Sequence, residues 1–156
     1  MPEVIVKARY TTIASDDLFS ALSDFEAHAR RSPVVRSVVV HTDCEPTVSD
    51  WEVSFRRGVL KWSEFDDFDP TARVIRFWRR DGDPESFEGS WEVTEDSGGC
   101  VAQFRAEFEL GIPSFASIVD PLGDRMLYDN VVEILQSFGY PAEILTPPPS
   151  KRRIGR

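Results

Sequence analysis

The sequence predicts an α+β protein in which an antiparallel sheet curls around a long C-terminal helix. A strand-like run near the N-terminus is followed by a segment with helical spacing, then by six strand-like runs separated by short turn-rich pieces. A last segment again has helical spacing and is long. Because short loops connect antiparallel neighbours, and because an amphipathic helix needs an apolar surface to cover, we expect a sheet of about seven strands packed on that helix.

The first 33 residues predict one strand and a helical connection. Residues 3–13, EVIVKARYTTI, are rich in β-branched residues and predict the first strand. Ser15 is a plausible N-cap for the helical segment that follows. Leu18, Leu22 and Phe25 then fall on one side of it.

The next strands predict which face of the sheet is buried. In DWEVSF, Trp51, Val53 and Phe55 share one face. A turn centred on residues 57–58 would place Phe55 opposite Leu60 and Trp51 opposite Glu64. Leu60, Trp62 and Glu64 would then lie inside.

The turn at Pro70 gives the same answer. It would place Glu64 opposite Phe77 and Trp62 opposite Arg79, with Asp66 inside but near the mouth of the sheet. Phe65 would lie outside, which predicts either a contact in a homodimer or a covering segment.

The last hairpin pairs apolar or small residues on the inner face. The turn TEDSGG would place Trp91 opposite Phe104, Gly89 opposite Ala106, and Phe87 opposite Phe108. The missing side chain at Gly89 would leave room for a ligand, or equally for close packing of the helix.

The C-terminal helix is predicted over residues 121–138. Asp120 is a plausible N-cap and Pro121 a suitable first helical residue. An apolar stripe runs along it at steps of three and four residues, comprising Leu122, Met126, Leu127, Val131, Ile134, Leu135 and Phe138. We expect one domain over residues 1–140 and a flexible, Pro-rich basic tail over residues 141–156.

Composition limits the classes of function. A net charge of -9 disfavours nucleic acid as a partner, and no apolar run is long enough to span a membrane. Cys44 and Cys100 have no motif spacing, so we expect free thiols and a cytoplasmic protein. No metal-ligand cluster, P-loop or dinucleotide fingerprint is present, so we expect no cofactor. The 4 Trp and 11 Phe residues predict a wide cavity lined by aromatic side chains.

The order of elements resembles a known superfamily. The helical segment DLFSALSDFEAHARRSP after the first strand, the spacing of Phe87, Gly89 and Trp91, and the long C-terminal helix are similar to the START-like helix-grip (SRPBCC) proteins. Within them the sequence most resembles single-domain bacterial polyketide cyclases and aromatases, and the coenzyme Q-binding branch is a near relative. The resemblance implies two short helices after strand 1.

The resemblance also implies a deep cavity between the curved sheet and the long helix. In the cyclases it receives a poly-β-ketone carried by an acyl carrier protein and promotes aldol cyclisation and dehydration. Ten residues would line it here, namely Trp51, Phe55, Trp62, Phe77, Phe87, Trp91, Phe104, Phe108, Met126 and Asn130.

Three residues are candidates for catalysis. Glu64 among aromatic side chains would have a raised pKa and could act as the base, and Arg79 could stabilise the developing negative charge. The alternative for this pair is a salt bridge at the rim. His28 could shuttle protons near the entrance, or could be an ordinary surface residue. Apart from these three, Tyr128 of the C-terminal helix could donate a hydrogen bond to a bound ketone, or could lie outside the apolar stripe of that helix.

The leading hypothesis is therefore a cofactor-independent polyketide cyclase or aromatase. Its ligand would be a hydrophobic polyketide or aromatic molecule, and the Arg30/Arg31 and Arg56/Arg57 pairs could contact an acidic acyl carrier protein. The alternative is a non-enzymatic protein that binds a quinone or lipid. A third possibility, the ribosome-interacting branch, is disfavoured by the net charge.

Overall fold

The structure, a computed structural model, describes residues 3–55, 58–110 and 116–149, and the side chains of these residues other than 116–122. Three helices are α1 (Ser15–Ser23), α2 (Phe25–Arg31) and α3 (Ala116–Gln136). The strands are β1 (Glu3–Tyr10), β2 (Val35–His41), β3 (Thr47–Phe55), β4 (Gly58–Asp69), β5 (Val74–Gly82), β6 (Ser86–Asp96), β7 (Gly99–Glu109) and β8 (Ala142–Ile144).

The described strands form one eight-stranded sheet in the order β2-β3-β4-β5-β6-β7-β1-β8, and each neighbouring pair is antiparallel. The α+β prediction is confirmed, as are the two short helices after β1 and the long C-terminal helix.

An eighth strand corrects the predicted flexible tail. Ala142–Ile144 pairs with β1, and the Leu145 N–H donates to the Lys7 carbonyl. The edge of β1 has backbone N–H and C=O groups that need hydrogen-bond partners. The three residues of β8 provide these partners. Residues 150–156 of the predicted tail lie outside the described residues.

The start of α1 also differs from the prediction. Ala14 occupies the N-cap position, and Ser15 is already helical. The Ser15 hydroxyl donates to Glu95 Oε2 at 2.7 Å, which joins α1 to β6 instead of capping the helix.

The buried face of β4 is the one that the sequence predicted, although its register differs by two residues. Trp51 lies opposite Trp62, and Glu64 lies opposite Arg79. Leu60, Trp62 and Glu64 are buried. A shift of two residues keeps each side chain on its face, because side chains alternate with a period of two.

The predicted pairs of β6 and β7 are confirmed, with Phe87 opposite Phe108, Gly89 opposite Ala106, and Trp91 opposite Phe104. Gly89 does not leave room for a ligand or the helix, however. A Cβ there would lie 1.9 Å from the Arg105 carbonyl oxygen. This glycine therefore permits the close approach of β7.

Helix α3 begins at Ala116, so Asp120 and Pro121 lie inside it and not at its start. Pro121 has no N–H, so it cannot donate the backbone hydrogen bond that another residue would make at this point of the helix. Two side-chain bonds fix the helix to the sheet. Tyr10 donates its hydroxyl to the Leu135 carbonyl, and Asn130 Nδ2 donates to the Ser54 carbonyl at 2.9 Å.

Phe65 lies on the outer face of the sheet, as predicted, and packs against Trp78 with ring centroids 5.7 Å apart. Trp78 remains 38% exposed. The partial cover of Phe65 thus comes from the neighbouring strand, and the homodimer contact stays a prediction.

Candidate functional site

A largely apolar cavity lies between the concave face of the sheet and α3. Its volume is about 40 Å³. The described residues that line it are Trp51, Val53, Phe55, Leu60, Trp62, Glu64, Phe77, Phe87, Trp91, Phe104, Phe108, Leu127, Asn130, Val131 and Ile134.

The cavity is much narrower than the sequence predicted. The aromatic side chains pack against one another: Trp51 stacks on Trp62, Phe77 stacks on Phe104, and Phe87 meets Trp62 edge to face. The surplus of large rings therefore fills most of the core. A space of 40 Å³ admits molecules of the size of water, whereas a cavity that holds benzene measures about 150 Å³.

Nine of the ten predicted lining residues border this cavity. The exception is Met126, which is half-buried and packs on the core without lining the cavity. Leu127, the next residue of α3, takes that place. Whether any of these residues binds a ligand stays a prediction.

Glu64 is the acidic residue in the lining of this cavity, and its side chain is buried with 2% exposure. The indole Nε1–H of Trp62 donates to Glu64 Oε1 at 2.8 Å. Burial raises the pKa of Glu64 well above its ordinary value, and the neighbouring Asp66 raises it further by hydrogen bonding and by charge. Burial and Asp66 therefore both favour the protonated form of Glu64.

Asp66 is fully buried, and its predicted place near the mouth is wrong. Its exposure is 1%. Phe25 of α2 packs on this sheet through ring contacts with Trp51 and Phe68. Ser49 donates its hydroxyl to Asp66 Oδ2 at 2.6 Å. Burial is also the largest influence on the pKa of Asp66, and it raises that pKa.

Ser49 links this carboxyl group to a second indole. Its exposure is 0%, and its hydroxyl oxygen accepts a hydrogen bond from Trp51 Nε1 at 2.9 Å. The sequence pattern predicted no role for Ser49, and for Asp66 it predicted only an inward position near the mouth. Ser49 could have been predicted from the alternation of β3, because Ser49 lies two residues before Trp51 and therefore on the same face.

Arg79 does not form the expected pair with Glu64. Its backbone lies opposite Glu64, but its guanidinium donates to the carbonyl oxygens of Gly82 and Pro84 in the turn after β5. No ion pair joins Arg79 to Glu64 among the residues that the structure describes. The register of β4 and β5 shifts between Ser63 and Glu64, next to this pair.

His28 is a buried residue of α2, neither at the surface nor in the lining of the cavity. Its exposure is 0%, and its Nε2 lies 3.1 Å from the Leu22 carbonyl, to which it must donate. Burial lowers the pKa of His28 to about 4, with smaller opposing influences from the Leu22 carbonyl and Asp24 and a lowering influence from Arg31. The ring is therefore neutral at physiological pH.

Two further candidates can be located. Tyr128 lies outside the cavity and donates its hydroxyl to the Thr146 carbonyl at 2.6 Å. Arg30 is exposed at the end of α2, while Arg31 lies over the ring of Phe138. Residues 56 and 57, the second arginine pair, lie outside the described residues.

Within residues 3–55, 58–110 and 116–149 no group of three or more His, Cys, Asp or Glu side chains is arranged to hold a metal ion. Cys44 and Cys100 are free thiols. None of the helices in the described part of the chain is long and apolar enough to cross a membrane.

Solved structures share this fold. A protein of Thermus thermophilus, TTHA0849, superposes with a TM-score of 0.79 at 24% identity, covering 87% of this chain and 93% of that one. The Zhui aromatase/cyclase of Streptomyces sp. R1128 gives a TM-score of 0.70 at 15% identity, covering 87% and 91%. A START superfamily protein of Mycobacterium smegmatis gives 0.68 at 16% identity, covering 86% and 93%.

No curated protein sequence matches the chain significantly. The family described as "Polyketide cyclase / dehydrase and lipid transport" matches residues 13–134, which is most of the chain and contains the sheet strands β2 to β7 with the cavity residues. The chain therefore belongs to this family, within the START-like (SRPBCC) superfamily.

Proposed function

We propose that the protein is a cofactor-independent polyketide cyclase or aromatase. It binds a poly-β-ketone or aromatic intermediate between the sheet and α3 and promotes aldol ring closure with loss of water. The observation that carries this proposal is Glu64, a buried carboxyl group with a raised pKa in the wall of a largely apolar cavity.

The chemistry of ring closure matches one carboxyl group that acts as base and then as acid. Glu64 in its ionised form removes a proton from a carbon between two carbonyl groups. That carbon bonds to a ketone carbon, and the electron pair of the C=O bond moves to oxygen. Glu64 then returns its proton to this oxygen, so the carboxyl group ends in its starting state.

Dehydration uses the same group in the same order. Glu64 removes the second proton from the carbon that attacked, and the neighbouring hydroxyl group leaves as water when it receives this proton. A carbon–carbon double bond replaces the carbon–oxygen bond. Each round again leaves Glu64 unchanged, so no cofactor is needed.

A polyketone is larger than the 40 Å³ cavity, so binding requires a rearrangement of its wall. Trp51 and Trp62 fill the side near Glu64, and Leu127 and Val131 of α3 fill the opposite side. Either the rings turn or α3 moves away from the sheet when the ligand enters. Binding should therefore change the near-ultraviolet circular dichroism of the tryptophans.

The test is reconstitution with a minimal polyketide synthase, which supplies the intermediate on its acyl carrier protein. Addition of the protein should shift the products towards one ring pattern. The same products with and without it would overturn the proposal. A quinone or lipid that copurifies with the protein, together with unchanged products, would identify the alternative function of a non-enzymatic carrier.

A further inference from the structure

Two buried carboxyl groups lie side by side on β4, and one of their oxygens has no hydrogen-bond donor. Glu64 and Asp66 point to the same face, with exposures of 2% and 1%. Trp62 donates to Glu64 Oε1, and Ser49 donates to Asp66 Oδ2. Asp66 Oδ1 is buried without a partner among the described residues.

The elements packed around this pair supply no cation within the part of the chain that the structure describes. On β5, Arg79 directs its guanidinium to Gly82 and Pro84, and on α2 His28 bonds to the Leu22 carbonyl. The inward side chains nearest to the pair on β3 are Ser49 and Trp51, which do not titrate near neutral pH. From α3 the cavity is lined by Leu127, Asn130, Val131 and Ile134.

Two ionised carboxylates in such a place would repel each other without compensation. A single proton removes this difficulty. A proton on Glu64 gives Asp66 Oδ1 the donor that it lacks, and leaves one negative charge, held by the Ser49 hydroxyl.

We propose that Glu64 and Asp66 share one proton, and that Asp66 is a positioning residue which exchanges this proton with Glu64, while Glu64 alone reaches the ligand. The role of Asp66 in the reaction rests on the proposed function. When Asp66 holds the proton, Glu64 is ionised and can act as the base. When Glu64 holds it, Glu64 can donate to a ketone oxygen.

This arrangement also specifies the class of ligand. The carboxyl pair already carries one negative charge beside an apolar cavity, so a second negative charge on the ligand is disfavoured. The ligand should be uncharged and should present a carbonyl or enol oxygen to Glu64. A carboxylate of the same size and shape should bind more weakly.

Infrared spectroscopy of the ligand-free protein tests the shared proton without any turnover. We expect one buried, protonated carboxyl band at pH 7. Glu64→Gln should lose it, because the new amide donates to an ionised Asp66. Asp66→Asn should keep it but move its titration to lower pH, because the negative charge beside Glu64 is gone. Asp67→Asn, on the exposed face of β4, should match the wild type.

The wild-type spectrum tests the shared proton even if a variant fails to fold. Absence of a protonated carboxyl band from the wild type at pH 7 overturns the shared proton. Identical titrations of wild type and Asp66→Asn overturn the role of Asp66. If the band behaves as expected and the polyketide products do not change, the shared proton stands and the proposed function fails.

A matched pair of probes tests the ligand class. At pH 8, 2-acetonaphthone should bind at least about tenfold more tightly than 2-naphthoate, whose carboxylate differs mainly in charge. Equal affinities, or a preference for 2-naphthoate, would overturn the predicted preference for an uncharged ligand.

Discussion

Trp51 and Trp62 lie directly opposite each other on β3 and β4, with ring centroids 5.7 Å apart and ring planes 3° from parallel. The indole of Trp62 donates to Glu64, and that of Trp51 donates to Ser49, which in turn donates to Asp66. Trp62 thus binds Glu64 directly, whereas Trp51 supports the Ser49 hydroxyl that binds Asp66. Neutral donors therefore take the place of a cation at the carboxyl pair.

Ser49→Ala should destabilise the protein by about 1–3 kcal/mol, because it leaves the Trp51 N–H and Asp66 Oδ2 buried without partners. Urea unfolding measures the change. Ser54→Ala is the matched control on the same strand, since the Ser54 hydroxyl has no hydrogen bond within the described residues, and it should change stability by less than about 0.5 kcal/mol. Equal effects of the two substitutions would contradict the role of Ser49.

His28 should make the protein sensitive to mild acid. Burial lowers its pKa in the folded state to about 4 from 6.5, so the unfolded chain binds a proton more readily. Stability is therefore fully present above pH 6.5 and falls as the pH drops towards 4, by about 3 kcal/mol in all.

His28→Gln keeps a donor for the Leu22 carbonyl and should flatten this acid dependence, as measured by urea unfolding between pH 4 and 7. A wild-type slope in His28→Gln would show that other groups cause the acid sensitivity.

Gly89→Ala should destabilise the protein by about 3 kcal/mol, because the added methyl group would lie 1.9 Å from the Arg105 carbonyl oxygen and force β6 and β7 apart. Gly58→Ala is the control, since a Cβ there meets no atom of the described residues within 4 Å. Thermal or urea unfolding distinguishes them, and a Gly89→Ala variant as stable as Gly58→Ala would refute the close strand approach.

Arg79→Ala should lower stability by about 1 kcal/mol through the loss of its bonds to the Gly82 and Pro84 carbonyls. The rate of ring closure should stay within about threefold of wild type, since Arg79 does not contact Glu64. Arg76→Ala, on the exposed face of the same strand, is the control for lost charge. A rate loss of about a hundredfold in folded Arg79→Ala would support the catalytic role that the sequence predicted.

The sequence predicted the buried face of β4 because alternation depends only on whether a position is odd or even. The register was wrong by two residues, so Trp51 meets Trp62 and not Glu64. That error leaves the inner face intact, and Glu64 is placed correctly. The local sequence pattern thus decides which face of the sheet a side chain occupies. The residue opposite it on the next strand depends on the length of the loop between the strands.

The depth of each position could not be predicted from the strand itself. Asp66 follows the inward alternation, but its depth depends on the whole fold, in which Phe25, 41 positions away in the chain, packs against Trp51 and Phe68 of the same sheet. The same applies to His28, which looks like a polar residue in a charged helix and is buried against Trp51 and Phe138. The volume of the cavity likewise depends on ring packing, which composition does not encode.

The most direct test of the central claim compares ring closure by wild type, Glu64→Gln and Asp67→Asn in the reconstituted polyketide system at one pH. Glu64→Gln keeps the shape of the side chain and removes its ability to carry a proton, so the rate should fall by about a hundredfold or more while Asp67→Asn remains at the wild-type rate. A Glu64→Gln variant that folds and closes the ring at the wild-type rate would contradict the account.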